Sequence, residues 1–266
     1  MRRMSLTATR IPYLRDCDGR RYDPITGCSN TGDQCAVRAR NLCWAESLVR
    51  AEGVDNWRCR LEMPTFKPTF HPERLTAPLR TRRDYLIAVG FGGDMWSNGV
   101  VPDWRRQVCD VERQCPQHTF VHLTKCPENI RDEEILPNGW YGTSICVDAD
   151  SDRIAPLYEL MLRTDGHFWI SFEPVLENLR HIDVIGFDWI VVGGLSDSRG
   201  RVIRPDEGGT RAEWIQSILD AVAHAGVPIY AKNLGGIWHE LRRPRSGEWL
   251  KSPTELRELP REWSAG

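Results

Sequence analysis

The stretch Tyr85-Leu-Ile-Ala-Val89-Gly90-Phe-Gly92-Gly93-Asp94-Met-Trp96-Ser97 joins a short, unbroken apolar run to a polar, glycine-rich ending. A run without polar alternation suits a strand covered on both faces, and such strands belong to parallel sheets. Working outward, the same beat recurs at 119–124, 140–145, 168–172, 189–192 and 227–232, with helix-like stretches between. Successive runs lie roughly 20 to 40 residues apart, the length of a strand-plus-helix unit. With the segment before Cys28 as a first strand, the chain reads as α/β. The expected fold is a (β/α) barrel or partial TIM barrel of six to eight mainly parallel strands.

In such a fold the chemistry sits at the carboxyl ends of the strands, and here those ends are polar. One ends in Lys125 and Cys126, the next in Ser144, Cys146 and Asp148, and the next in Ser171 and Glu173. The last two end in Gly193 and Gly194, and in Lys232 and Asn233. Glu173 follows an apolar run and precedes Pro174, which favours a functional carboxylate over a solvated one. Lys125 and Lys232 are partners for a carboxylate or phosphate, or members of ordinary ion pairs. Ser144, Asp148 and Ser171 suit ribose, carboxylate or substrate contacts, with capping of the next helix as the alternative. Cys126 and Cys146 are each a candidate hydrogen-atom donor, a replacement for Cys35 as a metal ligand, or a packing residue. Gly193 and Gly194 allow close backbone approach, while Trp96 and Asn233 are candidate substrate contacts.

Upstream lies a polar loop with Cys28, Cys35 and Cys43 at spacing C-x6-C-x7-C, leading into a helix over 43–53. Thiolates are soft ligands, and three of them leave one metal coordination position open for substrate. The 54–81 stretch, with four prolines, is expected to be extended, with a short helix over 71–75. Nine cysteines, an odd number, and an N-terminus without an apolar h-region point to a reducing cytosol. No apolar run is long enough to span a membrane. A net charge of −2 argues against nucleic-acid binding by bulk charge. Clusters at Arg15, Arg20 and Arg21, at Arg80, Arg82 and Arg83, and at Arg242, Arg243 and Arg245 are solvated faces or local phosphate contacts. Eleven tryptophans are core residues or base-stacking surfaces. Residues 1–21 are expected as an irregular leader, 22–240 as the barrel and 241–266 as an extension packed on it.

A first strand, a three-cysteine loop opening a helix, and a second strand ending in Gly92-Gly93-Asp94 together resemble the radical S-adenosylmethionine (radical SAM) superfamily. Its usual loop is C-x3-C-x2-C. More narrowly, Asp23-Pro-Ile-Thr-Gly-Cys28, Cys43-Trp-Ala-Glu46, His71-Pro-Glu-Arg74, Leu123-Thr-Lys125, Glu173-Pro174 and Asp188-Trp-Ile-Val-Val-Gly-Gly194 are similar to a three-cysteine family of phages and bacteria. That family's loop is C-x6-C-x2-C, so this chain keeps the first gap and lengthens the second.

The resemblance implies a [4Fe-4S] cluster held by Cys28, Cys35 and Cys43. S-adenosyl-L-methionine would bind the open iron and be cleaved to a 5′-deoxyadenosyl radical that abstracts hydrogen from substrate. Gly92, Gly93 and Asp94 would meet the methionine ammonium, with a glycine turn and N-cap aspartate as the alternative. The family's occurrence in phages implies modification or isomerisation of an amino-acid-bearing thymidine in phage DNA. A reductase or flavodoxin-type electron donor and a location in the host cytoplasm go with it. Two other classes stay open. One is a zinc or iron–sulfur module binding nucleic acid, with Cys17, Cys59 or His71 as a fourth ligand. The other is a metal-free hydrolase or lyase using Glu173, Asp94 and Lys125.

Overall fold

A computed structural model describes residues 5–50, 66–197 and 200–263. In chain order the elements are β1 (Thr7–Ala8), α1 (Pro12–Arg15), β2 (Arg20–Tyr22), β3 (Ile25–Thr26), α2 (Ala36–Ala39), α3 (Trp44–Arg50) and β4 (Thr69–Phe70). There follow β5 (Leu86–Val89), α4 (Pro102–Arg113), β6 (Thr119–Thr124), β7 (Gly139–Ser144) and α5 (Ile154–Met161). The chain continues through β8 (His167–Phe172), β9 (Trp189–Val192), α6 (Ala212–Ala225) and β10 (Ile229–Ala231). Helix α4 starts with Pro102 at its first position, carries Asp103 in its first turn and ends with Arg113, each suited to its end of the helix dipole. Helix α6 stops at Gly226, whose φ of 71° closes the last turn.

The fold is mixed α/β, with one eight-stranded sheet in the order β1-β2-β5-β6-β7-β8-β9-β10. All pairings are parallel except that of β1 with β2. Strands β5 to β10 follow one another in both sequence and space. Right-handed crossovers in a sheet wound in one direction place the helices on a single face. That face carries Ile87, Val89, Phe120, Tyr141, Phe168, Ile170, Ile190 and Val192, packed against Val108, Leu157, Leu160, Ile215 and Leu219 of the helices. The opposite, inner face carries Leu86, Ala88, Val121, Trp140, Trp169, Trp189, Val191 and Tyr230, covered by Tyr13 and Leu14 of α1.

The sheet is not closed: among the described residues β1 and β10 are its two edges and share no pairing. Instead the edge of β10 is covered by the C-terminal residues, with a bridge between Tyr230 and Arg257 and a bond from Glu258 N–H to the Ile229 carbonyl at 2.8 Å. Trp263 completes the inner aromatic cluster, 4.7 Å from Trp189 between ring centres. The leader expected over 1–21 supplies structure: β2 pairs in parallel with β5, and α1 plugs the inner face. Of the helix expected over 43–53, residues 44–50 form α3, and residues 51–53 lie outside the described residues. In place of a helix over 71–75 there are turns, followed by a single 3-10 turn at Pro78–Arg80. No helix among the described residues is long and apolar enough to cross a membrane.

Candidate functional site

Strand parity decides which side chains reach the inner face. Leu123 pairs with Gly142, Ser144 with Ser171, and Ser171 with Val191. Counting two residues on from the inner-face positions assigns Lys125, Ser144, Ser171, Glu173, Gly193 and Lys232 to this same face, one layer above the aromatic floor. Glu173 and Lys232 are joined there by an ion pair of 2.5 Å, both about a quarter exposed or less (21% and 25%). Gly193 is what gives the carboxylate room, because a Cβ there would stand 3.1 Å from Glu173 Cγ. The Cys146 thiol donates to the Glu173 carbonyl at 3.4 Å.

The cysteine loop runs over these strand ends. Its first residues dock on the Gly92-Gly93-Asp94 turn: Gly27 N–H donates to the Gly92 carbonyl and Asp94 N–H to the Gly27 carbonyl, both at 3.2 Å. A Cβ on Gly93 would lie 2.1 Å from the Gly27 oxygen, so only glycine permits this approach. Asp94, expected to meet a ligand ammonium, is a lock between loop and sheet. Its Oδ1 accepts from Trp96 N–H (3.1 Å) and the Thr124 hydroxyl (2.7 Å), and its Oδ2 from Asn30 Nδ2 and Lys125 N–H, both at 2.9 Å.

Two arginines that sequence reading passed over hold the rest of the loop. Arg38 pairs with Glu46 at 3.2 Å and donates to the Asn30 and Cys28 carbonyls. Arg153 donates to the carbonyls of Ser144 and Gln34, both at 2.7 Å, tying the residue before Cys35 to the end of β7. Ala36 and Leu42 pack on Cys146, Leu176 and Leu195. The spacing of Arg38 and Glu46, one on each side of Cys43, was the signal available for the first contact. Nothing local marks Arg153.

Cys28, Cys35 and Cys43 are all free thiols, each half-buried. Cys35 lies within electrostatic reach of both others. Backbone N–H groups point at two of the sulfurs, Asn30 at Cys28 Sγ (3.3 Å) and Glu46 at Cys43 Sγ (3.5 Å). Burial pushes the Cys28 thiol up to about 12, Asp94 adding to the rise while the Asn30 N–H and Lys125 oppose it. Burial raises Cys43 as well. Thiols held up in this way surrender their protons to a bound cation. A cavity of about 930 Å³ opens beside Cys28, lined also by Arg38, Glu46 and Phe66. That is room for a cofactor of nucleotide size.

Among the described residues no three His, Cys, Asp or Glu side chains converge as one metal ion requires. A [4Fe-4S] cluster asks for something else: each thiolate binds a different iron, so the sulfurs surround the group without meeting at one atom. The donor set, soft thiols with N–H groups aimed at sulfur and a lysine nearby, fits that demand. Cys59, a suggested fourth zinc ligand, lies outside the described residues.

Three expected contacts fall away from the site. Trp96 is buried (1% exposed) in the helix-side core, its indole N–H donating to Glu134 at 3.0 Å, so it offers no surface to a substrate. The Asp148 side chain is 67% exposed and paired with His181 at 2.8 Å; the inward acid of that turn is Asp150, which caps Cys146 N–H at 2.8 Å. Asn233 is exposed, donates to the Gly200 carbonyl at 3.3 Å, and receives Gly194 N–H at 3.1 Å, which makes it a brace for the loop after β9. Within the basic clusters, Arg15 pairs with Asp16, Arg20 and Arg83 with Asp18, Arg21 with Asp23, and Arg243 with Glu248 and Glu255.

A family model described as a protein of unknown function (DUF5131) matches residues 9–255. No curated protein and no solved structure matches the chain.

Proposed function

The chain belongs to the DUF5131 family of proteins of unknown function, and we propose that in it Cys28, Cys35 and Cys43 hold a [4Fe-4S] cluster that serves radical SAM chemistry. Support comes chiefly from one observation: the loop that carries the three cysteines is fastened over the carboxyl ends of a parallel sheet wound in one direction, the mouth where α/β folds place their sites. The strand order and the single helical face support reading the sheet as a partial (β/α) barrel of the radical SAM type. A bound cluster would supply one electron to S-adenosyl-L-methionine and so release a 5′-deoxyadenosyl radical that abstracts hydrogen from substrate.

The chain's own residues do the rest. The aromatic floor of Trp140, Trp169 and Trp189 excludes water from below. Glu173 and Lys232, already paired, can reorient toward a substrate that carries both charges, as an amino-acid-bearing nucleoside does. Ser144 and Ser171 offer hydroxyls on the same face. Trp44, 42% exposed and next to Cys43, would offer its ring to a base. The substrate class we propose is therefore such a thymidine, free or in phage DNA, rearranged with electrons from a reductase or flavodoxin.

The test is anaerobic reconstitution with iron and sulfide, then reduction with S-adenosyl-L-methionine and phage nucleosides. The expected result is a brown protein that yields 5′-deoxyadenosine, with both properties lost in Cys28→Ala. Wild-type protein that takes up no iron, or activity that survives Cys28→Ala, refutes the reading.

A further inference from the structure

We propose that Lys125 is the counter-charge of the three-thiolate site, and that it makes a cluster held there easier to reduce. The inference rests on the function proposed above. Strand parity carries the Lys125 side chain onto the inner face with Val121 and Leu123. Its backbone is fixed against the thiol loop through Asp94, since Oδ2 receives Lys125 N–H and Asn30 Nδ2, both at 2.9 Å, and Asn30 N–H meets Cys28 Sγ at 3.3 Å.

Among the described residues Lys125 makes no ion pair, whereas the other strand-end lysine, Lys232, is taken by Glu173. Asp94 already receives four protein donors. The second cation nearby, Arg153, is matched by Asp150 at 2.7 Å. Lys125 is therefore the uncommitted cation of the inner face, on the strand end to which Asp94 and Asn30 fasten the thiol loop. Burial works to lower its pKa, but Cys35, Cys146 and Asp94 outweigh burial and hold it above the ordinary lysine value.

Three thiolates leave a [4Fe-4S] cluster with a net negative charge that reduction increases. A fixed cation in a half-buried site stabilises the more negative state more strongly. Removing it disfavours reduction; replacing it with another cation does not. Lys125 would thus act through the cluster, as a positioning charge.

The test is a redox titration of reconstituted protein, followed by the electron paramagnetic resonance signal of the reduced cluster, without S-adenosyl-L-methionine. In Lys125→Met the equilibrium constant for reduction is expected to fall about tenfold, a midpoint lower by about 59 mV for a one-electron couple. Lys125→Arg stays near wild type. Lys125→Gln, closer in polarity, is titrated in parallel, so that failure of one variant to fold leaves the measurement standing. Neutral variants with the wild-type midpoint overturn the inference and leave Lys125 to a substrate anion, because no cofactor or substrate is present in the titration. Wild-type protein that assembles no cluster overturns the function itself, a distinguishable result.

Discussion

Replacing Asp94 with asparagine changes one oxygen to an amide nitrogen at nearly constant volume, and it separates a lock from a ligand contact. Asp94 is 5% exposed and accepts four hydrogen bonds, two on each oxygen. If the new amide faces the Oδ1 partners, it opposes Trp96 N–H and the Thr124 hydroxyl. The hydroxyl can turn, but its oxygen already accepts Cys126 N–H at 2.9 Å. If the amide faces the Oδ2 partners, it opposes Asn30 and Lys125 N–H; Asn30 can flip its own amide, at the expense of its contact with Cys126 Sγ. In either orientation one backbone N–H loses its acceptor, a cost of about 1–3 kcal/mol. The remaining bonds lose the carboxylate charge that strengthens them. The total expected is about 2–4 kcal/mol, read as a lower urea midpoint at unchanged m for the cofactor-free protein. A cofactor-free Asp94→Asn protein as stable as wild type, but defective in binding S-adenosyl-L-methionine, would refute the lock and return Asp94 to a ligand role.

Other perturbations follow from the same contacts. Gly93→Ala forces a Cβ into the Gly27 carbonyl and should destabilise by about 1–3 kcal/mol, with iron uptake reduced in proportion in a metal-content assay. Tyr230→Phe removes the hydroxyl that donates to Asp16 at 2.7 Å and should cost about 0.5–1.5 kcal/mol near neutral pH. Tyr230 helps lower the Asp16 pKa, so that difference is present above the unfolded aspartate value of about 3.9 and fades as pH falls through the lower folded value, which urea titrations at several pH values can follow. Glu173→Gln keeps the fold and should lower turnover by about 10²-fold or more, the usual scale for a proton-transferring or orienting carboxylate. Asp148→Asn, on the exposed side of its turn, should change neither iron content nor turnover.

The strands were legible because parallel strands buried on both faces advertise themselves as apolar runs: 119–124 and 189–192 coincide with β6 and β9. That same continuity hid which side faced in. Trp140, Trp169 and Trp189 and their neighbours Tyr141, Phe168 and Ile190 are alike in hydrophobicity, and only pairing register separates them. Helix α1 escaped notice because four residues carry no period; the buried Tyr13 and Leu14 gain their importance from the sheet they plug. At the site, motif spacing located Gly93 and Asp94 but not their task, which depends on Asn30 and Thr124, far away in the chain. Asp148 and Asp150 illustrate the limit at short range: both sit in one 3-10 turn, and which acid turns inward is decided by the free N–H groups of Cys146 and Val147.

The attachment of the cysteine loop bears on how the seven residues between Cys35 and Cys43 are held. Cys28 is fixed to the sheet through Gly27, Gly93 and Asp94, and the residue before Cys35 through Arg153. The residues between Cys35 and Cys43 form the short helix α2 and its turn, where Ala36 and Leu42 pack on Cys146, Leu176 and Leu195. A connection that folds into a packed turn adds little loop-closure entropy and leaves Cys43 just before its own helix. The position of the third sulfur therefore depends on the Leu42 contact. Leu42→Ala should loosen Cys43 while sparing the Asp94 lock, lowering iron uptake with little change in the urea midpoint. Equal losses in both would mean that loop and sheet are a single cooperative unit.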